Sequence, residues 1–337
     1  EIYTLSLHDA LPISGYTINV LSNDSVAGGV LGSGVYTYPQ TVVIEATAND
    51  GYFFGGWSDG SVINPRTIVV DSSMEIEAWF YQKPELCMVS VEDGFNEVSW
   101  EKLDTVSTYN IYREGVSNGQ FELVASVDYN QNPVWVDIGS NPNAHSYKYK
   151  ISGISSLGVE SDMSEYHKTM HLTISRGIGN NWNLIWTAYE GVGYQTYRIY
   201  RGSNSNDLTL VEEISSNGNS TFTDNTSQVP AYYQIGIVLE NSCGMEKTSQ
   251  EILSNITFEN ANGIGSSVVT PYSITTLGHT VVINGEGNDK VRIFDNLGRA
   301  IVVGFHYGGT SVFAVPSSGV YLVQIGEYPV QKIIILR

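Results

Sequence analysis

The residues able to do chemistry are few and scattered. Gly115-Val116-Ser117-Asn118-Gly119 spells G-x-S-x-G, the nucleophile-elbow pattern, in which a serine on a tight strand-to-helix turn attacks a carbonyl with a histidine as its base. That chemistry needs a helix after the motif and acid and histidine partners beyond it. Here the motif lies between two β-type runs, Tyr109–Glu114 and Phe121–Val127, which predicts a hairpin loop. His145, His167, His171, His279 and His306 are spread along the chain. His167 and His171 have the i, i+4 spacing of a metal-binding helix pair, but His167–Ser175 reads as a strand, where the two are separated by two pleats. No H-E-x-x-H, P-loop or Cys/His cluster occurs, and the glycine-rich stretch 26–34 lacks the spacing of a phosphate loop. The acid pairs Glu75/Glu77 and Glu212/Glu213 fall on strands or strand ends that face solvent, not in a cleft that could split their pKa values. The expectation is therefore no catalytic residue, no metal site, no cofactor and no enzyme activity in this segment.

The elements that carry these residues are β-strands. With 337 residues there is room for two to four domains. Charged residues make up only 15%, while Gly (34) and Tyr (22) are abundant, a balance that predicts small all-β modules joined by turns. Net charge is −19, which excludes the basic footprint of a nucleic-acid binder. The acid is uneven. From Gly263 onward five cationic residues (290, 292, 299, 332, 337) face four acidic ones (286, 289, 295, 327), so this stretch is +1 and the rest −20. No apolar run approaches the roughly 20 residues of a membrane-spanning helix.

An internal repeat runs from about 85 to 256. Trp100 pairs with Trp186, Tyr109–Arg113 with Tyr197–Arg201, Leu123 with Leu210, Asp137 with Asp224, and Tyr149–Gly153 with Tyr233–Ile237. The period is that of a β-sandwich domain. Cys87 falls in the first strand of one repeat and Cys243 in the last loop of the next. A disulfide between them requires the two sandwiches to fold back on each other, bringing the Cα atoms within about 7 Å. Residues 1–14 back-translate in one frame to a short-read sequencing adapter, and are set aside as an assembly artefact; the natural protein is expected to extend upstream.

Three resemblances organise the rest. Residues 15–82, through G-Y-F-F-G-G-W-S-D-G (51–60), N-P-R (64–66) and E-I-E-A-W-F (75–80), resemble the internalin-type B repeat, a β-grasp-like surface module. In this motif Trp57 is expected to be a core anchor and not a ligand platform. Residues 85–168 and 169–256 resemble two tandem fibronectin type III domains, followed by a linker at 257–272. Residues 273–337 resemble the C-terminal sorting domain of the type IX secretion system of Bacteroidota, through V-R-I-F-D-N-L-G-R (291–299), P-S-S-G-V-Y-L-V-Q-I (316–325) and the Lys332-to-Arg337 end.

The last resemblance implies a small β-sandwich, export across the outer membrane, and the type IX translocon and its sortase as partners. It makes Asp295, Gly298, Arg299, Gly319, Tyr321 and Lys332 the export residues. The chain is then the secreted or surface-attached C-terminal part of a larger protein. Two alternatives stand beside it: the appendage of a peptidase or glycosidase lying upstream, or an adhesin whose sandwiches bind a surface glycan or host protein. An exposed aromatic cluster would favour binding; buried Trp57, Trp100 and Trp186 would favour plain scaffolding.

Overall fold

The computed structural model describes residues 15–177, 181–225, 231–239, 251–259, 272–326, 328 and 330–335. Among them every regular element is a β-strand. The first seven are β1 (Tyr16–Ser22), β2 (Gly28–Leu31), β3 (Gly34–Tyr36), β4 (Thr41–Ala48), β5 (Tyr52–Trp57), β6 (Arg66–Val69) and β7 (Met74–Gln82). They form a mixed sheet, β3-β1-β7-β5, whose β1 and β7 run parallel, and a smaller sheet, β2-β4-β6. Period-2 alternation decides which side chains meet between them. Ile18 and Val20 of β1, Ile44 and Ala46 of β4, and Ile76, Ala78 and Phe80 of β7 all point into one core. Trp57 is its centre. It is fully buried, its Nε1–H donates to the Ile63 carbonyl at 2.9 Å, and the Arg66 guanidinium lies 5.4 Å from its ring centre.

Two sandwiches follow. The first sets β8 (Leu86–Glu92), β9 (Phe95–Trp100) and β12 (Val134–Asp137), ordered β12-β9-β8, against β10 (Val106–Glu114), β11 (Phe121–Asp128), β13 (Lys148–Ser155) and β14 (His167–Lys168), ordered β11-β10-β13-β14. The second repeats the plan. Its β15 (Leu172–Arg176), β16 (Trp182–Trp186) and β19 (Thr221–Asp224) face β17 (Thr196–Gly202), β18 (Thr209–Ser215), β20 (Ala231–Val238) and β21 (Glu251–Leu253). Even the bulge is duplicated: the β10–β11 register shifts between Ile111 and Tyr112, and the β17–β18 register between Ile199 and Tyr200.

The repeated polar residues turn out to be one device. Arg113 and Tyr149 both reach Asp137, at 2.7 and 2.6 Å, and Arg201 and Tyr233 both reach Asp224, at 2.5 and 3.0 Å. In each case the aspartate lies on one sheet and its two partners on the other, so the trio ties the sheets together. Burial, and next the adjacent Asp137 carboxylate, push the Tyr149 hydroxyl well above the usual tyrosine range. Burial and Asp224 act likewise on Tyr233.

Two sequence expectations need correction. His167–Ser175 is not one strand but two, β14 closing the first sandwich and β15 opening the second, with the inter-domain joint at 169–171. The second sandwich also continues past Ile256, because β22 (Thr257–Glu259) pairs with the start of β20. Most of the expected 257–272 linker, residues 260–271, lies outside the described set, as do residues 1–14 and Arg337.

The sandwiches are not beads on a string. Six of the seven residues of β8 are buried, because β21 of the second sandwich and β14 of its own both pack against it. Met88 belongs to the core of the second sandwich although β8 pairs within the first. Val89 N–H donates to the Tyr189 hydroxyl at 2.9 Å, and Leu253 N–H donates to Ser90 Oγ at 3.0 Å.

The last module contains β23 (Ser273–Leu277), β24 (Thr280–Phe294), β25 (Ala300–Ala314), β26 (Gly319–Ile325) and β27 (Gln331–Ile335). β24 pairs with β25 along its length, with β23 through its first residues and with β26 through its last. A register shift between Gly285 and Asn288 lets the long hairpin change direction and serve both halves of the core. Val281, Ile283, Val291, Ile293, Tyr321, Val323 and Ile335 fill that core.

Candidate functional site

The residues assigned to export collect at one end of the C-terminal sheet. Phe294, at the end of β24, pairs with Leu322 near the start of β26, and Leu322 pairs with Lys332 on β27. The turn 295–299 therefore leaves the sheet beside Gly319 and Tyr321. Register alone brings all six positions together.

The turn is built by Asp295. Its Oδ1 accepts from Leu297 N at 2.9 Å and Arg299 N at 3.0 Å, while Oδ2 accepts from Arg299 Nε at 2.7 Å. The Arg299 terminal nitrogen lies 2.7 Å from the same oxygen, so the guanidinium grips the carboxylate with two nitrogens. Gly298 closes the turn, donating its N–H to the Asp295 carbonyl at 3.1 Å with φ +79, a conformation that suits glycine. Tyr321 is buried and donates its hydroxyl to the Ser317 carbonyl at 2.8 Å, pinning the 316–318 turn. Gly319 pairs with Ile335 at the sheet's end. The side chain of Lys332 lies outside the described set.

This end is packed on the first sandwich. Trp135 donates its Nε1–H to the Leu297 carbonyl at 2.8 Å, and Phe95 meets Phe294 edge-on at 5.9 Å. A Cβ at Gly298 would stand 2.5 Å from the Val136 carbonyl, so this glycine serves the packing as well as the turn. Asp93, at the tip of the β8–β9 hairpin, pairs with Arg292 and with Lys290, the latter at 3.6 Å. Sequence reasoning named Gly298 only through the sorting resemblance and missed Trp135. Its signal was a large aromatic on a four-residue strand of a sandwich that already has its core tryptophan in Trp100.

The other candidates stand elsewhere. Ser117 sits in the loop joining β10 to β11, with a strand and not a helix after it, so the nucleophile-elbow pattern is a hairpin loop. His279 Nε2 lies 3.1 Å from Ser318 Oγ in a cleft shared with Pro316 and Ser317, and His306 Nδ1 lies 2.8 Å from Ser311 Oγ. Neither imidazole has a carboxylate partner among its hydrogen bonds in the described residues. His167 and His171 part company: His167 bonds the Tyr189 hydroxyl, and His171 the Pro142 carbonyl. Among the described residues no three His, Cys, Asp or Glu side chains converge on a metal position. Trp57, Trp100 and Trp186 are buried in their cores. Cys87 is buried and disulfide-bonded; Cys243 lies outside the described residues.

Comparison with known proteins adds one family. Residues 16–84 match the divergent InlB B-repeat domain. The match falls on the first module and bears out the resemblance read from its aromatic strand. Among curated proteins, an amylopullulanase of Thermoanaerobacterium saccharolyticum is 34% identical over 83 residues, which is 25% of this chain and 6% of that protein. The amylopullulanase of Thermoanaerobacterium thermosulfurigenes is 35% identical over the same length, 4% of it. The chain thus spans a small fraction of these relatives. Among solved structures, chicken CNTN1 FN1-FN3 domains (11% identity, 75% of this chain, 100% of that one) give a TM-score of 0.20. The central fibronectin-III array of RIM-binding protein (8%, 72% and 92%) gives 0.21.

Proposed function

We propose that this chain is the non-catalytic C-terminal region of a secreted, cell-surface protein, in which a B-repeat and two sandwiches act as spacers and the last module is a type IX sorting signal. One observation carries the reading: Asp295, Gly298, Arg299, Gly319, Tyr321 and Lys332 fall at one end of one sheet, on the 295–299 turn and the adjoining strands β26 and β27. A translocon that reads this end would meet the exposed Arg299, held in place by the buried Asp295, Gly298 and Tyr321 that shape the turns around it, with the sortase acting near the 257–272 segment. The buried tryptophans suit a spacer role for the modules before it. Deleting 263–337 should leave the protein in the periplasm. Cell fractionation that finds the truncated protein on the surface would sink the sorting role.

A second reading concerns what lies upstream. The similarity of 83 residues to two proteins named amylopullulanase supports an appendage of a polysaccharide hydrolase. Sequencing the source DNA upstream of the Gly15 codon decides it. A catalytic domain there makes this the tail of an enzyme, whereas more repeats like 16–84 make it a surface fibre.

A further inference from the structure

β25 runs along one edge of the last sheet. It pairs with β24 over its whole length and with no other strand among the described residues. From Ala300 to Ala314 it contains neither a charged residue nor a proline, the usual devices that keep an edge from recruiting another strand. Its first half also turns an apolar row outward. Val303, Phe305 and Tyr307 are 59, 54 and 76% exposed, and the Phe305 and Tyr307 rings stack at 5.9 Å. The alternate side chain of His306 is buried, bonded to Ser311 and Gly285, which fixes which face is out. Gly308 and Gly309, both at positive φ, end the row.

We propose that this edge is a homotypic interface, at which two copies of the chain pair β25 against β25, antiparallel, about Phe305. The row is complementary to itself. A two-fold through residue 305 sets Phe305 opposite Phe305 and Val303 opposite Tyr307, and all six side chains fall on one face as aromatic and β-branched cross-strand pairs. No like charges meet, because none is present on the strand. The charge of the whole chain favours the same choice. The stretch from Gly263 is +1 while the rest is −20, so pairing here joins the two near-neutral modules and leaves the acidic ones outside the contact. An isologous contact of this kind closes at a dimer and does not grow into a fibre. The inference is independent of the sorting role.

Analytical ultracentrifugation of the full chain over a range of concentrations tests it. The expected result is a monomer–dimer equilibrium that Phe305→Lys weakens at least about tenfold, by forcing a charge into an apolar strip. Val312→Lys, on the same strand beyond the glycine pair, should leave it unchanged. A chain that stays monomeric throughout, or a dimer indifferent to Phe305→Lys in a variant whose circular dichroism is unaltered, overturns the proposal. Cysteine placement is a second measurement that does not depend on destabilising the module. F305C lies opposite its own copy and should oxidise to a linked dimer, and V312C should not; equal linking by both also overturns it. Capture of a strand from another protein by a monomeric chain counts against homotypic pairing.

Discussion

At the scale of single residues, Asp137 and Asp224 have more at stake than any exposed ion pair in the molecule. Asp137 is nearly fully buried and satisfies both Arg113 and Tyr149, so removing its carboxylate leaves a half-buried cation and a phenol hydroxyl without their acceptor. Asp137→Ala should lower the stability of the first sandwich by about 3–5 kcal/mol, read by denaturant titration. Asp224→Ala should act in the same direction on the second, less strongly, because its pair is somewhat more exposed. A second residue-scale effect concerns His167. Burial lowers its pKa to about 4, while in the unfolded chain it titrates near 6.5. Between those values the unfolded state holds the extra proton, so stability rises with pH through the window and is lost as pH falls from about 6.5 to about 4. The full loss from this site is about 3 kcal/mol. His167→Gln should flatten that part of the stability–pH profile, and an unchanged slope would show that another group sets it.

At the scale of elements, β8 is the strand that makes two sandwiches into one unit. Met88 sits in the second core while its own strand is paired in the first. Met88→Ala should therefore cost about 2–5 kcal/mol and lower the thermal transition of both sandwiches together. Two separate transitions, only one of them shifted, would contradict this. The strand's sequence already hinted at it. Leu86-Cys87-Met88-Val89 is a continuous apolar run, as a strand covered on both faces should be, whereas the matching Leu172-Thr-Ile-Ser-Arg176 alternates and is exposed on one side. Gly298 belongs to the same scale. Ala there must adopt a positive φ and push against Val136, so Gly298→Ala should loosen the turn and its seat on the first sandwich. Faster hydrogen exchange of residues 293–299 is the signature, and unchanged protection there would restrict the glycine's role to the turn itself.

At the scale of the whole molecule, the packing of β21 on β8 supplies the fold-back that a Cys87–Cys243 bridge requires. Cys87 is disulfide-bonded, and we propose Cys243 as its partner. A non-reducing peptide map should recover the two cysteine peptides linked. Reduction should destabilise the paired sandwiches by about 4 kcal/mol, since the closed loop is long. Free thiols at both positions would remove the bridge.

Much of this protein was legible in its sequence, because much of it is local or periodic. Period-2 alternation and turn residues determined the strands, and the spacing of Trp100, Arg113, Asp137 and Tyr149 against Trp186, Arg201, Asp224 and Tyr233 determined the duplicated sandwich. The aromatic strand at 51–60 determined the B-repeat. What the spacing could not say was that the repeated Arg, Asp and Tyr touch, since they lie on strands that meet only across a sandwich. Nor could it place Met88 in its neighbour's core, Trp135 on the Leu297 carbonyl, or the six residues named by the sorting resemblance at one end of one sheet. Those contacts join residues far apart in the chain, and only tertiary packing and strand register, which act through space and not along the sequence, decide them.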